Sequence, residues 1–300
     1  MNIFKALFGS KSKPAEEVKK DVTRDFNVLK YDGVRALRER QFDYAIQCLL
    51  RAIEINGADL ECRDYLSQAF IATDNLSQAY EQLQKMAEEC PDNIAVLLRM
   101  ADVAYMMENY TAMADVCEKA MMLDGDNVQV YFYYAKACCG HGDLTNAVVM
   151  LSKALLLNAD FDAARLLRGE LLLESGDVEE AAEDADTLCA RIEGNEDVLL
   201  LKARVEKAKG CMAEAEIAYG KVIDANPFSI DAYRERGEVR KALGNDEGAN
   251  ADEAAANEMQ QEPPQPTEGI EQNIKKKMQQ MDPYKAVSYT HLTLPTKRIV

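Results

Sequence analysis

The sequence predicts an all-α chain, a solenoid of seven helix-turn-helix repeats, and three observations carry that expectation. Composition is the first. Ala, Leu, Glu, Lys and Met dominate, while 15 glycines and 8 prolines in 300 residues leave few breakers. The second is a series of small residues at a stride of 34: Gly33, Ser67, Ala101, Ala135, Gly169, Ala203 and Gly237. The third runs parallel to it, with Ala45, Ala79, Ala147, Ala181, Ala215 and Ala249 interrupted only by Met113, and an apolar residue seven places after each, from Ala52 to Ala256.

The elements follow from what lies between these series. Gly142, Gly176, Gly210 and Gly244, with Asp74 and Asn75 earlier, fall between the small residue and the alanine, so they divide each unit into two helices. The breakers ECPDN (89–93), DGDN (124–127) and ANPFS (225–229) end units. Small residues let the two backbones approach, since a longer side chain there would hold the helices apart.

These positions resemble the tetratricopeptide repeat family. With units starting at 26, 60, 94, 128, 162, 196 and 230, the resemblance covers residues 26–263: a small eighth place, an alanine twentieth and an apolar twenty-seventh. The family's proline at the thirty-second place survives as Pro91 and Pro227, and its aromatic at the fourth as Tyr131 and Tyr233, with leucine at 29, 97 and 199. The resemblance implies antiparallel A and B helices stacked as a right-handed superhelix whose inner face, built by the A helices, holds an extended or helical peptide. Places two, five, nine, twelve and thirteen would point there. In the central units these are Leu98, Asp102, Tyr105 and Met106, then Phe132, Lys136 and Cys139, then Leu166, Glu170 and Leu173. Roughly half are expected to be largely buried against neighbouring helices. One subtype of the family clamps a C-terminal carboxylate; Lys30 and Arg99 fit it, but Val34, Tyr65 and Ala95 stand where further donors belong. The last two units carry a mixed-charge inner face of Asp197, Arg204, Lys207, Asp231, Arg234, Glu238 and Lys241.

The run VQVYFYYAKACCGHGD (128–143) invites a metal or redox reading. The register makes Tyr131, Tyr134 and Cys138 packing residues and Gly140, His141 and Gly142 a turn. Cys138 and Cys139 point about 100° apart on a helix, and a zinc site would need further nitrogen or sulfur ligands. No catalytic constellation, metal or cofactor is expected, so the chain reads as a non-enzyme. A formal charge of −17 repels a phosphate backbone and excludes nucleic acid as a partner. Eight cysteines without a C-x-x-C pair imply reduced thiols and a cytoplasmic location. The acidic run 176–186 is expected on the outer surface.

At the N-terminus, residues 1–25 read as a tail and lead-in helix. Ile3, Phe4, Leu7 and Phe8 share one side of a short turn that either docks on the first unit, stays free or touches a membrane surface weakly, and Ser12 before Pro14 starts a helix that lengthens the first A helix. Glu253 stands where the last B helix would otherwise be apolar, which ends the stack in water. Residues 264–286 read as a linker and the start of a further segment. Residues 287–300, beginning VSYTHL after Ala286, resemble a sequencing-library adapter, and the natural chain is expected to continue differently. The functional expectation is a scaffold that binds another protein or peptide in its concave groove. The alternatives are a sensor for a signalling peptide or small molecule, and the adaptor part of a longer multidomain protein.

Overall fold

Seven antiparallel helix pairs make up the computed structural model, which describes residues 15–260, with side chains described from residue 21. The pairs are α1 (Ala15–Arg38) with α2 (Phe42–Ile55), α3 (Leu60–Ala72) with α4 (Leu76–Glu89), and α5 (Ile94–Met106) with α6 (Tyr110–Leu123). Then come α7 (Val128–Gly140) with α8 (Leu144–Leu157), α9 (Asp162–Ser175) with α10 (Val178–Arg191), α11 (Glu196–Ala208) with α12 (Met212–Ala225), and α13 (Ile230–Ala242) with α14 (Asp246–Gln260). From α4 onward every helix starts 34 residues after its counterpart in the preceding pair. The described residues contain no strand. The expectations for residues 1–14 and 261–300 lie outside the described residues.

The stride is enforced at three levels. At the start of A helices, Asp59, Asn93, Asn127 and Asn195 accept a hydrogen bond from the backbone N–H three residues on, which satisfies one of the orphan donors of a helix N-terminus. Between A and B helices the backbone turns left-handed at the same place in every unit: Arg40, Asp74, Glu108, Gly142, Gly176, Gly210 and Gly244. Glycine adopts that conformation freely, whereas an L side chain is strained there by about 1–2 kcal/mol. In the core, the three small and apolar series are buried in all seven units, including Met113. The approach is closest at Gly33, where a Cβ would sit 2.7 Å from Leu49 Cγ, and at Gly169, where it would sit 2.7 Å from Leu201 Cδ2. The small series therefore meets the B helix of its own unit at Gly33 and the next A helix at Gly169.

One expectation is corrected. Asp184, within the acidic run placed on the outer surface, is 1% exposed. Its carboxylate accepts from Arg165 at 3.0 Å and from Arg168 at 2.8 and 2.7 Å. The run lies on α10, and one helical face of it must meet α9; Ala181, Ala185 and Leu188 share that buried face, and the arginines make a carboxylate tolerable there. The neighbouring Glu179, Glu180, Glu183 and Asp186 are exposed, as expected. The same place recurs as Gln82, which accepts from Arg63 at 2.9 Å, and as Asp252, which accepts from Arg236 and Arg240 at 2.6 to 3.0 Å.

Two outcomes follow for stability. Glu108→Gly should raise it by about 0.5–1 kcal/mol, the relief of a left-handed side chain less the added freedom of the unfolded chain; a lower urea midpoint would contradict that. Asp184→Ala should cost about 3–5 kcal/mol by leaving two part-buried guanidinium groups facing no anion, whereas a midpoint unchanged from wild type would show the cluster to be energetically idle.

Candidate peptide-binding face

The A helices form one wall. Successive A helices touch directly at α1–α3, α5–α7 and α9–α11, and no pair of successive B helices reaches comparable contact, so the stack curves towards its A side. On that wall lie the ten side chains singled out from the sequence. Asp102, Tyr105, Met106 and Glu170 are exposed, and Leu98, Phe132, Lys136, Cys139, Leu166 and Leu173 are half-buried. Six of the ten are thus largely shielded by their neighbours, about the half that was expected, and none is fully buried.

The centre of the wall is aromatic. Phe132 packs on Phe161 with ring centroids 5.0 Å apart. Lys136 lays its ammonium 3.8 Å from the Tyr105 ring centroid and 5.4 Å from that of Phe132, so its charge is held by ring faces and not by a carboxylate. Asp102 accepts from the Tyr133 hydroxyl at 3.3 Å. Although Glu170 is exposed, the surrounding wall removes enough water from its carboxyl to push it above the usual range; Arg204 opposes the shift and Asp197 adds to it.

The stretch around the cysteines is ordinary packing. Tyr131 and Tyr134 are half-buried and donate their hydroxyls to Gly125 O at 2.8 Å and Glu118 Oε1 at 3.0 Å. Burial pushes the thiols of Cys138 and Cys139 up, the opposite of what a reactive thiolate needs. Cys138 is half-buried where a core residue was expected. Exposed His141 caps α7 and presents an edge to Tyr110, whose ring occupies the space a Cβ at Gly140 would need.

Several charges of the wall are already paired, while Asp197, Asp231 and Lys241 of the mixed-charge face take part in none of the ion pairs among the described residues. Lys30 is held by Asp59 at 3.0 Å and Glu61 at 2.5 Å, and Arg99 by Asp64 and by Ser67, so both residues that fit the carboxylate-clamp pattern already have partners. Arg204 grips Glu235 with donors at 2.6 to 3.0 Å, Lys207 pairs with Glu238 at 2.6 Å and Arg234 donates to Gln260. Glu235 was not among the residues expected on the wall. It also accepts from the fully buried Tyr219 at 2.7 Å, and its one sequence signal is the tyrosine standing in a column that is otherwise aliphatic, alanine or cysteine before Glu253. Burial alone would push the Glu235 carboxyl up; the hydrogen bonds from Arg204 and Tyr219 and the charges of Arg204 and Lys207 outweigh that and hold it below its ordinary value.

Stacked helix hairpins of constant stride, small residues at each crossing and a continuous wall of A helices define an α-solenoid of two-helix repeats. Its fold is that of solved tetratricopeptide repeat structures. A tetratricopeptide repeat protein from Parabacteroides merdae is 16% identical with a TM-score of 0.64, over 85% of this chain and 99% of that one. PilW, a type IV pilus biogenesis factor, is 17% identical with a TM-score of 0.60, over 72% and 99%. YrrB, a TPR protein with an unusual peptide-binding site, is 18% identical with a TM-score of 0.52, over 65% and 97%. No family model and no curated protein matches the sequence.

The low-lying carboxyl of Glu235 sets a pH dependence. Its pairing stabilises the fold at pH above the ordinary glutamate value of 4.5 and is lost as pH falls through the lower folded value. Between pH 6 and pH 3 the wild type should therefore lose more thermal stability than Glu235→Gln, and parallel Tm curves for the two would contradict the assignment.

Proposed function

We propose that the chain is a non-catalytic scaffold that holds a segment of another polypeptide against the inner wall of units three to five. The observation that carries this is an apolar strip, Tyr105 and Met106 exposed, Phe132, Leu166 and Leu173 half-buried, on the A-helix face of the central units. Aromatic and methionine side chains give such a strip contact area that adapts to a partner's apolar anchors. YrrB's peptide-binding site on the same fold supports the general role. The acidity of the chain fits a protein partner better than a nucleic acid. Among the described residues no helix is long and apolar enough to cross a membrane. Eight free cysteines fit a reducing compartment, and we infer the cytoplasm.

The test is capture of partners from a native lysate by the wild type and by the combined Tyr105→Ala, Phe132→Ala, Leu173→Ala variant. The variant should lose bound polypeptides that the wild type retains, with its urea midpoint showing that it is folded. Identical sets of captured proteins would remove the wall from the account.

A further inference from the structure

The outer side of the stack carries a cleft that the inner wall does not use. Each A helix packs on its own B helix and on the preceding one, and its fourth and seventh places lie between the two, pointing away from the wall. In the fourth, fifth and seventh units long side chains with partners fill this space. Tyr131 and Tyr134 reach Gly125 O and Glu118 Oε1, Arg165 and Arg168 grip Asp184, and Tyr233 stands beside Arg236, which donates to Asp252. The third unit has Leu97 and Met100 there, 4% and 5% exposed, and both end below the surface. A cleft of 580 Å³ opens above them between α4 and α6. The sixth unit has a related cleft of 490 Å³, but Lys202 stands at its seventh place, already paired with Asp186 and Glu206 at 2.6 Å.

The cleft of the third unit is apolar within and acidic at its rim. Tyr80 and Ala87 line it from α4 and Val116 from α6, while Met122 and Leu123, 85% and 43% exposed, carry the apolar surface to its end. Glu88, Asp92 and Asp115 stand on the rim with one lysine, Lys119, and none of the three carboxylates takes part in an ion pair among the described residues. Burial, and then the charge of Asp115, pushes the Tyr80 hydroxyl up, so the acidic rim acts on the cleft itself. The lining follows α6 from Ala112 to Leu123, about 16 Å at ~1.5 Å per residue, or three helical turns.

We propose that this cleft receives a basic amphipathic helix of a partner protein, its apolar residues seated over Leu97, Met100 and Met122 and its lysines or arginines facing Glu88, Asp92 and Asp115. A groove bounded by two helices accepts the side-chain ridges of a third, and methionine adapts its shape to the anchors it meets. Carboxylates without cations of their own select a basic partner, and the chain's net charge of −17 steers one towards them. A second copy would bring the same negative charge to an acidic rim, which disfavours it as the occupant.

The test is the fluorescence anisotropy of a labelled peptide helix with leucine at every third and fourth position and lysine between, titrated with the full chain. The wild type should bind it saturably. Glu88→Lys combined with Asp115→Lys, at two exposed positions, should weaken binding by about tenfold or more at low salt, and Met122→Ser alone should weaken it several-fold, with the helical circular dichroism unchanged in both. The combined Tyr105→Ala, Phe132→Ala, Leu173→Ala variant should bind like the wild type, because the inner wall lies on the other side of the A helices. Absence of saturable binding would overturn the proposal, as would undiminished affinity in the charge-reversed variant. Equal affinity for a peptide of the same composition with scrambled leucines would reduce the effect to diffuse attraction by net charge and overturn it too. So would loss of binding in the wall variant, or a dimer in sedimentation that Met122→Ser dissociates, which would give the cleft to a second copy.

Discussion

A leucine of one helix can seat against the backbone of its neighbour only where that neighbour carries a small side chain or none, and this constraint organises the whole molecule. Gly33 against Leu49 and Gly169 against Leu201 show its tightest form, with no room for one further carbon. Once the crossing is fixed, the turn between the helices has a fixed length, and the next hairpin meets the last in the same pose. The 34-residue stride of helix starts is the outward sign of that repetition. A repeated pose also repeats its surfaces, which is why a residue exposed in one unit and buried in the other six carries information.

Much of the fold could be read from the sequence for the same reason. Small residues at a crossing are constrained by contact, and contact repeats, so the eighth, twentieth and twenty-seventh places stood out without an alignment. The left-handed turn was legible at Gly142, Gly176, Gly210 and Gly244, and at Asp74. It was not legible at Arg40 and Glu108, because neither residue type announces that backbone conformation.

The site was only partly legible. Place in the repeat put Tyr105, Phe132 and Leu173 on the inner wall, but it could not say which charges were free. Arg204 with Glu235 and Lys207 with Glu238 bridge adjacent A helices across 31 residues of sequence, a separation at which pairing depends on side-chain reach. The buried carboxylates were missed because an acidic run on a helix reads as solvated. A clue was present: polar residues at the place of Gln82, Asp184 and Asp252 accompany arginine at Arg63, at Arg165 and Arg168, and at Arg236, within the same units. A burial cost in one helix was answered in its partner.

The wall is not uniform in how its staves are joined. Among neighbouring A helices, α1–α3, α5–α7 and α9–α11 are in direct contact, and α3–α5 and α11–α13 are tied by Arg99 with Asp64 and by Arg204 with Glu235. Between α7 and α9 there is neither close backbone contact nor a hydrogen bond or ion pair among the described residues; the ring pair of Phe132 with Phe161 at the start of α9 spans the seam. Ring faces slide at little cost where salt links would resist. The seam between the fourth and fifth units, beside the apolar strip, is therefore held by apolar packing without the polar ties that join α3 to α5 and α11 to α13.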